Sequence, residues 1–195
     1  EARRVLETLG ASREPQKFPV LAGPYLGQTP PTGDQVPFAR GIVIKNHGVV
    51  VMSPDGGEMY WSSPPSPGGP GRNRIIVTTL RDGRWTAPAA APFSCAEELP
   101  YSDGQPFISP DNRRLFFQST RPTTPSGRPG SNIWFVERTP TGWSAPRLLD
   151  SEINAMVPQW QFSVSGTGTF CFVSSAQGDI YFSKFENGKY AAPVS

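Results

Sequence analysis

Short apolar runs recur along the chain from about residue 37 onward, and each of them leads into a tight turn. The turns read Ser-Pro-Asp-Gly at 53–56 and Ser-Pro-Asp-Asn at 109–112, and a weaker third copy contains Ser163. Asp-Gly and Asp-Asn supply the positive-φ positions of hairpins, and Ser and Asp side chains bond the N–H groups of such turns. The pattern predicts three hairpins, with Ser163 as the third serine and Ser165 where the aspartate would stand.

Three further landmarks follow each turn in the same order. An aromatic strand leaves the turn, a third strand comes next, and a closing segment places an aromatic residue three positions before a proline. The predicted strands are 59–63, 115–119 and 170–175, then 74–78, 132–136 and 179–183. The closing aromatics are Trp85, Trp143 and Tyr190, ahead of Pro88, Pro146 and Pro193. Four short strands repeated over about 40–55 residues are typical of β-propeller blades, so we expect these aromatics to pack between blades.

The repeats predict an all-β fold, a β-propeller of which about three four-stranded blades are visible in this chain. The propeller is expected to occupy residues 36–195, with blades at about 46–94, 101–150 and 157–195, and 37–45 reads as a spare strand before the first blade. Propellers typically have about four to eight blades. Three blades therefore make a partial ring, or part of a larger propeller such as a six-bladed one.

The N-terminal region, residues 1–35, predicts a short helix over 2–9 and then a proline-rich extended arm. Proline removes backbone donors, so the arm should stay out of the strand ladders. Its apolar side chains, among them Val20 and Leu26, favour an irregular segment that lies on another surface. We expect the arm to tether the blades to a neighbouring subunit or to a membrane-anchored neighbour.

The ordered landmarks make the sequence resemble a known family. Ser-Pro-Asp-Gly, an aromatic strand ending in Ser-Ser, Asp-Ile-Tyr and Gly-x-Trp-x-x-Pro are similar to the WD40-like repeat called PD40, found in TolB-type β-propellers. The resemblance covers residues of about 37–195. It implies a bacterial secreted, periplasmic or lipoprotein propeller that binds proteins or glycans, and the family also includes propellers fused to peptidases.

The composition argues against disorder and against a nucleic-acid partner. Gly and Pro are abundant (20 and 23 of 195 residues), but 12 Phe, 5 Trp and 5 Tyr and a net charge of only +2 favour a folded chain rich in turns. Basic and acidic residues are interspersed without a basic stripe. No run of about 18 apolar residues is present, so no transmembrane segment is predicted in this chain.

Catalytic and metal-binding motifs are absent from the sequence. There is no Gly-x-Ser-x-Gly, Walker or His-Glu-x-x-His motif. Asp55 and Asp111 occupy equivalent turn positions, which indicates turn capping and not a catalytic pair. Cys95, Cys171 and the single His47 lack zinc-site spacing, so no metal or cofactor is expected. The sequence allows either a Cys95–Cys171 disulfide or a buried free thiol at Cys171.

Residues near the predicted inner strands and in the long loop at 121–131 are the candidates for binding a ligand or partner. They are His47, Tyr101, Gln159, Trp160, Arg121 and Arg128. The sequence thus predicts a non-enzymatic extracytoplasmic propeller, a protein-interaction or structural subunit of a larger complex with a protein partner or in an oligomer. The alternative is a glycan- or peptide-binding propeller, or a propeller hydrolase or lyase, of which this chain is a fragment.

Overall fold

The fold comes from a computed structural model, which describes residues 18–43, 49–63, 72–96, 98–124, 130–149, 151–156, 158–174 and 178–195. It is all-β, with several antiparallel sheets, one of which is curled like half of a barrel. This confirms the predicted fold class at that level. The helix expected over 2–9 lies outside the described residues, and no described helix is long and apolar enough to cross a membrane.

The first unit is a meander of antiparallel strands in which sequence neighbours pair. Its strands are β1 (Val50–Met52), β2 (Glu58–Ser63), β3 (Arg74–Arg81), β4 (Arg84–Trp85) and β5 (Ala89–Ala90). The order is β1-β2-β3-β4, and β5 continues beside β3 after the break at Pro88. Proline cannot donate to a ladder, so it interrupts the outer edge and not the centre of the sheet.

The second and third units repeat this arrangement. The second unit contains β6 (Asp103–Ile108), β7 (Arg114–Ser119), β8 (Asn132–Thr139), β9 (Gly142–Trp143) and β10 (Arg147–Leu148). A short helix, α1 (Ser151–Ala155), leads to the third unit, which contains β11 (Pro158–Val164), β12 (Phe170–Ser174), β13 (Ile180–Ser183), β14 (Phe185–Glu186) and β15 (Lys189–Tyr190). A bridge between Phe182 and Val194 closes its outer edge.

Strand registers make the three units directly comparable. Ser62 pairs with Ile75, Gln118 with Ile133, and Val173 with Ile180. Successive side chains on a strand point to opposite faces. Each sheet thus has a front face, turned toward the preceding part of the chain, and a back face, turned toward the following unit. The front faces carry Met59, Trp61 and Ile76, then Leu115, Phe117 and Trp134, then Phe170, Phe172 and Tyr181.

Apolar clusters join the back face of one unit to the front face of the next. Between the first two units, Tyr60 and Ile75 pack with Leu115 and Phe117. Between the second and third units, Phe116, Ile133 and Phe135 pack with Phe170 and Phe172. Trp85, Trp143 and Tyr190 occupy the equivalent positions on β4, β9 and β15, which confirms the predicted register of the closing aromatics. Trp143 and Tyr190 pack between two units, as expected. The same expectation is wrong for Trp85, which packs against the N-terminal segment because no sheet precedes the first unit there.

The described part of the arm, residues 18–35, and the residues that follow it up to 43 lie on the front face of the protein's own first unit. Leu26 and Ala39 are buried there against Met59, Trp61 and Trp85. The segment is irregular, as expected from its prolines, apart from a 3-10 turn at Pro24–Gly27 and an antiparallel bridge of Ala22 with Arg84. The expectation that the arm stays out of the strand ladders is wrong at this bridge, since Leu21, Ala22 and Gly23 are not prolines and can bond to β4. The predicted spare strand over 37–45 does not form at 37–43, because Ala39 adopts a positive φ of 50° and accepts hydrogen bonds from the amides of Ile42 and Val43.

The third turn is displaced by two residues from its predicted register. The Ser53 and Ser109 amides bond to the carbonyls of Glu58 and Arg114 across the turn, and the Ser165 amide bonds to that of Thr169 in the same way. Ser165, and not Ser163, is therefore the third turn serine. Thr167 stands in place of the aspartate, with its Oγ1 2.8 Å from the Oγ of Ser165.

Candidate interaction surface

The back face of the third unit presents an apolar row to solvent. Ile180 is 70% exposed, Phe182 38% and Val194 51%. Cys171 and Val173 lie beside them on β12, since Cys171 pairs with Phe182 and Val173 pairs with Ile180. Both residues are half-buried. We name this surface, formed by these five residues, the open back face.

The same positions are buried in the other two units. Ile75 and Ile133, which correspond to Ile180, are both fully buried at 0% exposure. Phe135 corresponds to Phe182 and is 9% exposed, because the third unit covers it. The open back face thus keeps the apolar character of an inter-sheet surface but lacks a covering sheet among the described residues.

The opposite end of the stack is closed by the arm. The amide of Trp85 donates to the carbonyl of Leu21 at 2.9 Å, and the amide of Gly23 donates to that of Gly83 at 3.2 Å. Trp85 is 4% exposed and Leu26 is likewise 4% exposed. The arm takes the place that a preceding sheet would have, so the two ends of the stack differ.

The turn aspartates act as caps, as predicted. Ser53 Oγ donates to Asp55 Oδ1 at 2.5 Å, and the Gly57 amide donates to the same oxygen at 2.9 Å. These hydrogen bonds, that of Ser53 first, lower the pKa of Asp55 below its ordinary value. Burial works against ionisation of Asp111, but hydrogen bonds from Ser109 and the Arg113 amide leave the pKa of Asp111 lowered as well.

A polar network locks the first unit to the second. Arg138 donates to both carboxylate oxygens of Glu58, at 3.0 and 2.7 Å, and its guanidinium lies 3.8 Å from the centre of the Trp143 ring. Trp143 Nε1 donates to the Tyr60 hydroxyl at 2.9 Å, and that hydroxyl donates to Glu58. Burial, followed by the charge of Glu58, raises the pKa of Tyr60. The contact between the first two units, which we call a joint, therefore combines specific polar bonds with the apolar packing. The contact between the second and third units is likewise called a joint.

Two of the predicted binding residues line one cavity. Tyr101 and Arg121 border a space of about 490 Å³ together with Phe93, Cys95 and Trp143. The guanidinium of Arg121 is already engaged, because Nη2 donates to Asp103 at 2.7 Å and Nε donates to Ser119 at 2.9 Å. Its side chain is 16% exposed, so most of its contacts are structural.

Asp103 is the residue at this position that the sequence prediction missed. It is fully buried and accepts hydrogen bonds from the Cys95 amide at 2.6 Å, from Ser94 at 3.2 Å and from Arg121. These bonds tie the connection between the first two units to β6 and to the loop after β7. Its signal in the sequence is a carboxylate at the start of a predicted inner strand, where burial requires a cationic partner.

The remaining candidates are not assembled into a site by the described part of the structure. His47 and Arg128 lie outside the described residues, as do the side chains of Gln159 and Trp160. The backbone of these last two lies in β11, where the pairing with β12 is irregular between Pro158 and Phe162.

Neither cysteine forms a disulfide, and the described residues hold no group of three or more His, Cys, Asp or Glu side chains suited to a metal ion. Cys95 is buried and Cys171 is half-buried on the open back face. Burial, followed by the nearby carboxylate of Asp103, raises the pKa of Cys95 to about 11.

A scan against protein-family models finds no match for this sequence, and a search of curated proteins finds no significant relative.

Proposed function

We propose that this chain is a run of β-propeller blades that acts, without catalysis, as a structural and protein-binding subunit of a larger assembly outside the cytoplasm. The observation that carries the proposal is the open back face. Ile180 is 70% exposed there, although Ile75 and Ile133 at the same position are fully buried by a following sheet. A surface with inter-sheet character that is left open is typical of an interaction site.

The propeller architecture is supported by the repetition of one sheet. Three antiparallel meanders follow one another along the chain, and each of the first two packs its back face on the front face of the next. Radial repetition of four-stranded sheets is the design of propellers. The location outside the cytoplasm rests on the resemblance to the PD40 repeats of TolB-type propellers.

The occupant of the open back face is a further four-stranded sheet of the same kind. The two filled joints define its chemistry, since each back face meets large apolar side chains such as Leu115 and Phe117 or Phe170 and Phe172. Burial of one such side chain from a fully exposed state stabilises by roughly 1.5–3 kcal/mol. Covering Ile180, at 70% exposure, therefore contributes more to the joint than covering Phe182, at 38%. The arm blocks the front face of the first unit, so these three units cannot close a ring on themselves.

Substitution on the open back face tests the proposal in the native assembly. We expect Phe182→Lys to weaken the joint because it places a charge where a sheet must pack. Leu148→Lys is the matched control, since Leu148 is equally exposed at 37% but lies on β10 of the second unit.

Two readouts separate the two sources of the covering sheet. When another subunit supplies it, Phe182→Lys lowers the mass of the assembly measured by light scattering. When the same polypeptide supplies it, the mass is unchanged and the midpoint of thermal unfolding falls. A variant that matches wild type in both measurements would show that the open back face is plain surface.

A further inference from the structure

The joint between the first two units contains a carboxamide that is hydrogen-bonded through both its nitrogen and its oxygen. Asn112 Nδ2 donates to Asp55 Oδ2 at 2.7 Å, and Asn112 Oδ1 accepts a hydrogen bond from Arg138 Nη2 at 2.8 Å. The amide therefore sits between an acceptor from one turn and a donor from a neighbouring strand. Asn112 reaches this place from a positive φ of 58°, which asparagine adopts more readily than most residues.

The joint between the second and third units lacks this group. The turn position of Asn112 is taken by Gly168, whose amide bonds to the Ser165 carbonyl as that of Asn112 bonds to Ser109. Asp111 keeps its cap through Oδ1, which accepts from Ser109 Oγ and the Arg113 amide. Among the described residues, Asp111 Oδ2 has no counterpart of the Asn112 donor.

A cavity of about 510 Å³ opens at this second joint. Asp111, Arg113 and Arg114 form part of its polar wall, and Phe185 and Tyr190 form part of its aromatic wall. Arg114 is fixed by Nε, which donates to Glu137 at 3.1 Å, and by the Phe185 ring, whose centre is 5.1 Å from its Cζ. Its Nη groups remain available as donors within the described structure.

Groups of both charges lie on the cavity wall. Asp111 and Glu137 stand beside Arg113, Arg114 and Arg138, and two of these arginines are already paired, Arg114 with Glu137 and Arg138 with Glu58. A group that both donates and accepts hydrogen bonds without a net charge satisfies both sides. A primary carboxamide has this property, and it is the group that fills the equivalent place at the first joint.

We propose that this cavity binds the asparagine side chain of a peptide segment. The amide NH2 donates to Asp111 Oδ2, the amide oxygen accepts from the guanidinium of Arg113 or Arg114, and the flanking peptide contacts Phe185 and Tyr190. Such a site is separate from the open back face and does not rest on the function proposed above.

The probe is acetyl-Gly-Asn-Gly-N-methylamide, titrated into the full chain and followed by backbone amide chemical shifts. We expect saturable shifts at Arg113 and Gly168 and at least tenfold weaker binding of the corresponding aspartate peptide. Asp111→Asn should weaken binding at least tenfold, because it replaces the acceptor by a second amide. Asp55→Asn is the matched control in the first turn and should leave binding unchanged.

Gly168→Asn tests the same proposal by placing a carboxamide of the chain itself at the cavity. It places a carboxamide at the position of Asn112, where Gly168 has a φ of 83° and an added Cβ would meet Phe185 Cβ at 3.3 Å. We expect this variant to occupy the cavity itself and to lose peptide binding, whereas Gly168→Ala retains it. Absence of saturable shifts in wild type, equal binding of the aspartate peptide, unchanged binding in Gly168→Asn, or tighter binding of N-acetylglucosamine would each overturn the proposal.

Discussion

The indole Nε1 of Trp85 donates a hydrogen bond of 2.8 Å to the carbonyl oxygen of Gly23, 62 positions earlier in the chain. This bond and the bridge between Ala22 and Arg84 attach the arm to the outer hairpin of the first unit. Residues 18–35 of the arm are therefore part of the folded unit to which they are attached, and the expected tether to another subunit stays a prediction.

Truncation of Leu26 tests how much the arm contributes to the free energy of unfolding. Leu26 is 4% exposed and packs in the cluster that contains Trp61 and Trp85, so Leu26→Ala should lower the free energy of unfolding by about 2–5 kcal/mol. The neighbouring Tyr25 is 49% exposed, and Tyr25→Ala should cost far less. Urea denaturation measures both. Equal effects of the two substitutions would contradict a buried role for the arm.

The Glu58–Arg138 pair should couple more strongly than the exposed pair of Glu137 and Arg147. The side chains of Arg138 and Glu58 are 28% and 19% exposed, and those of Arg147 and Glu137 are 62% and 35% exposed. A double-mutant cycle should give about 1–3 kcal/mol for the first pair. The second should give about 0.2–1 kcal/mol. Similar coupling in both pairs would show that the first pair does not lock the joint.

The two turn aspartates, Asp55 and Asp111, should make the free energy of unfolding depend on pH. Hydrogen bonds lower the folded-state pKa of Asp55 and Asp111 below the ordinary value of 3.8 for an aspartate. Their stabilising effect is therefore complete above that value and is lost as the pH falls through the lower folded pKa values. Asp55→Asn should be less stable than wild type at pH 7, with a gap that narrows below about pH 4. A gap independent of pH would assign the loss to altered hydrogen bonding alone.

The two thiols should react at different rates. Cys95 is buried with a pKa of about 11, so little thiolate is present at about pH 8. Cys171 is half-buried on the open back face. Iodoacetamide should modify Cys171 first in the isolated chain, and mass spectrometry of digests identifies the site. Protection of Cys171 in the native assembly is expected when a sheet covers that face. Faster modification of Cys95 would contradict the described packing.

Local patterns in the sequence were sufficient for the strands, the turn caps and the closing aromatics. Trp85, Trp143 and Tyr190 stand in the predicted register because each follows a hairpin turn by a fixed number of residues. The predicted position of the third turn is wrong because Ser163, like Ser53 and Ser109, follows an apolar run. Even spacing identifies Ser165, since Ser53, Ser109 and Ser165 are 56 residues apart.

Contacts between distant segments could not be predicted from the same patterns. Residues 37–43 are apolar enough for a strand, yet they turn and help cover the first sheet, and Ala39 packs near Met59. The loop residue Arg121 was predicted as a binding candidate, but buried Asp103 holds its guanidinium. Only the three-dimensional arrangement shows that Asn112 is bonded at one joint and that Gly168 leaves the equivalent position unfilled at the next.

The position of the arm also bears on synthesis of the protein. A ribosome releases the N-terminal part of a chain first, and folding proceeds in that direction. The arm precedes the first sheet in the chain, so it can cover the front face of that sheet as soon as the sheet forms. The front face of each later sheet can pack on the back face of the sheet that was synthesised before it. At every stage of translation we therefore expect one back face, and no front face, to be exposed to the cell.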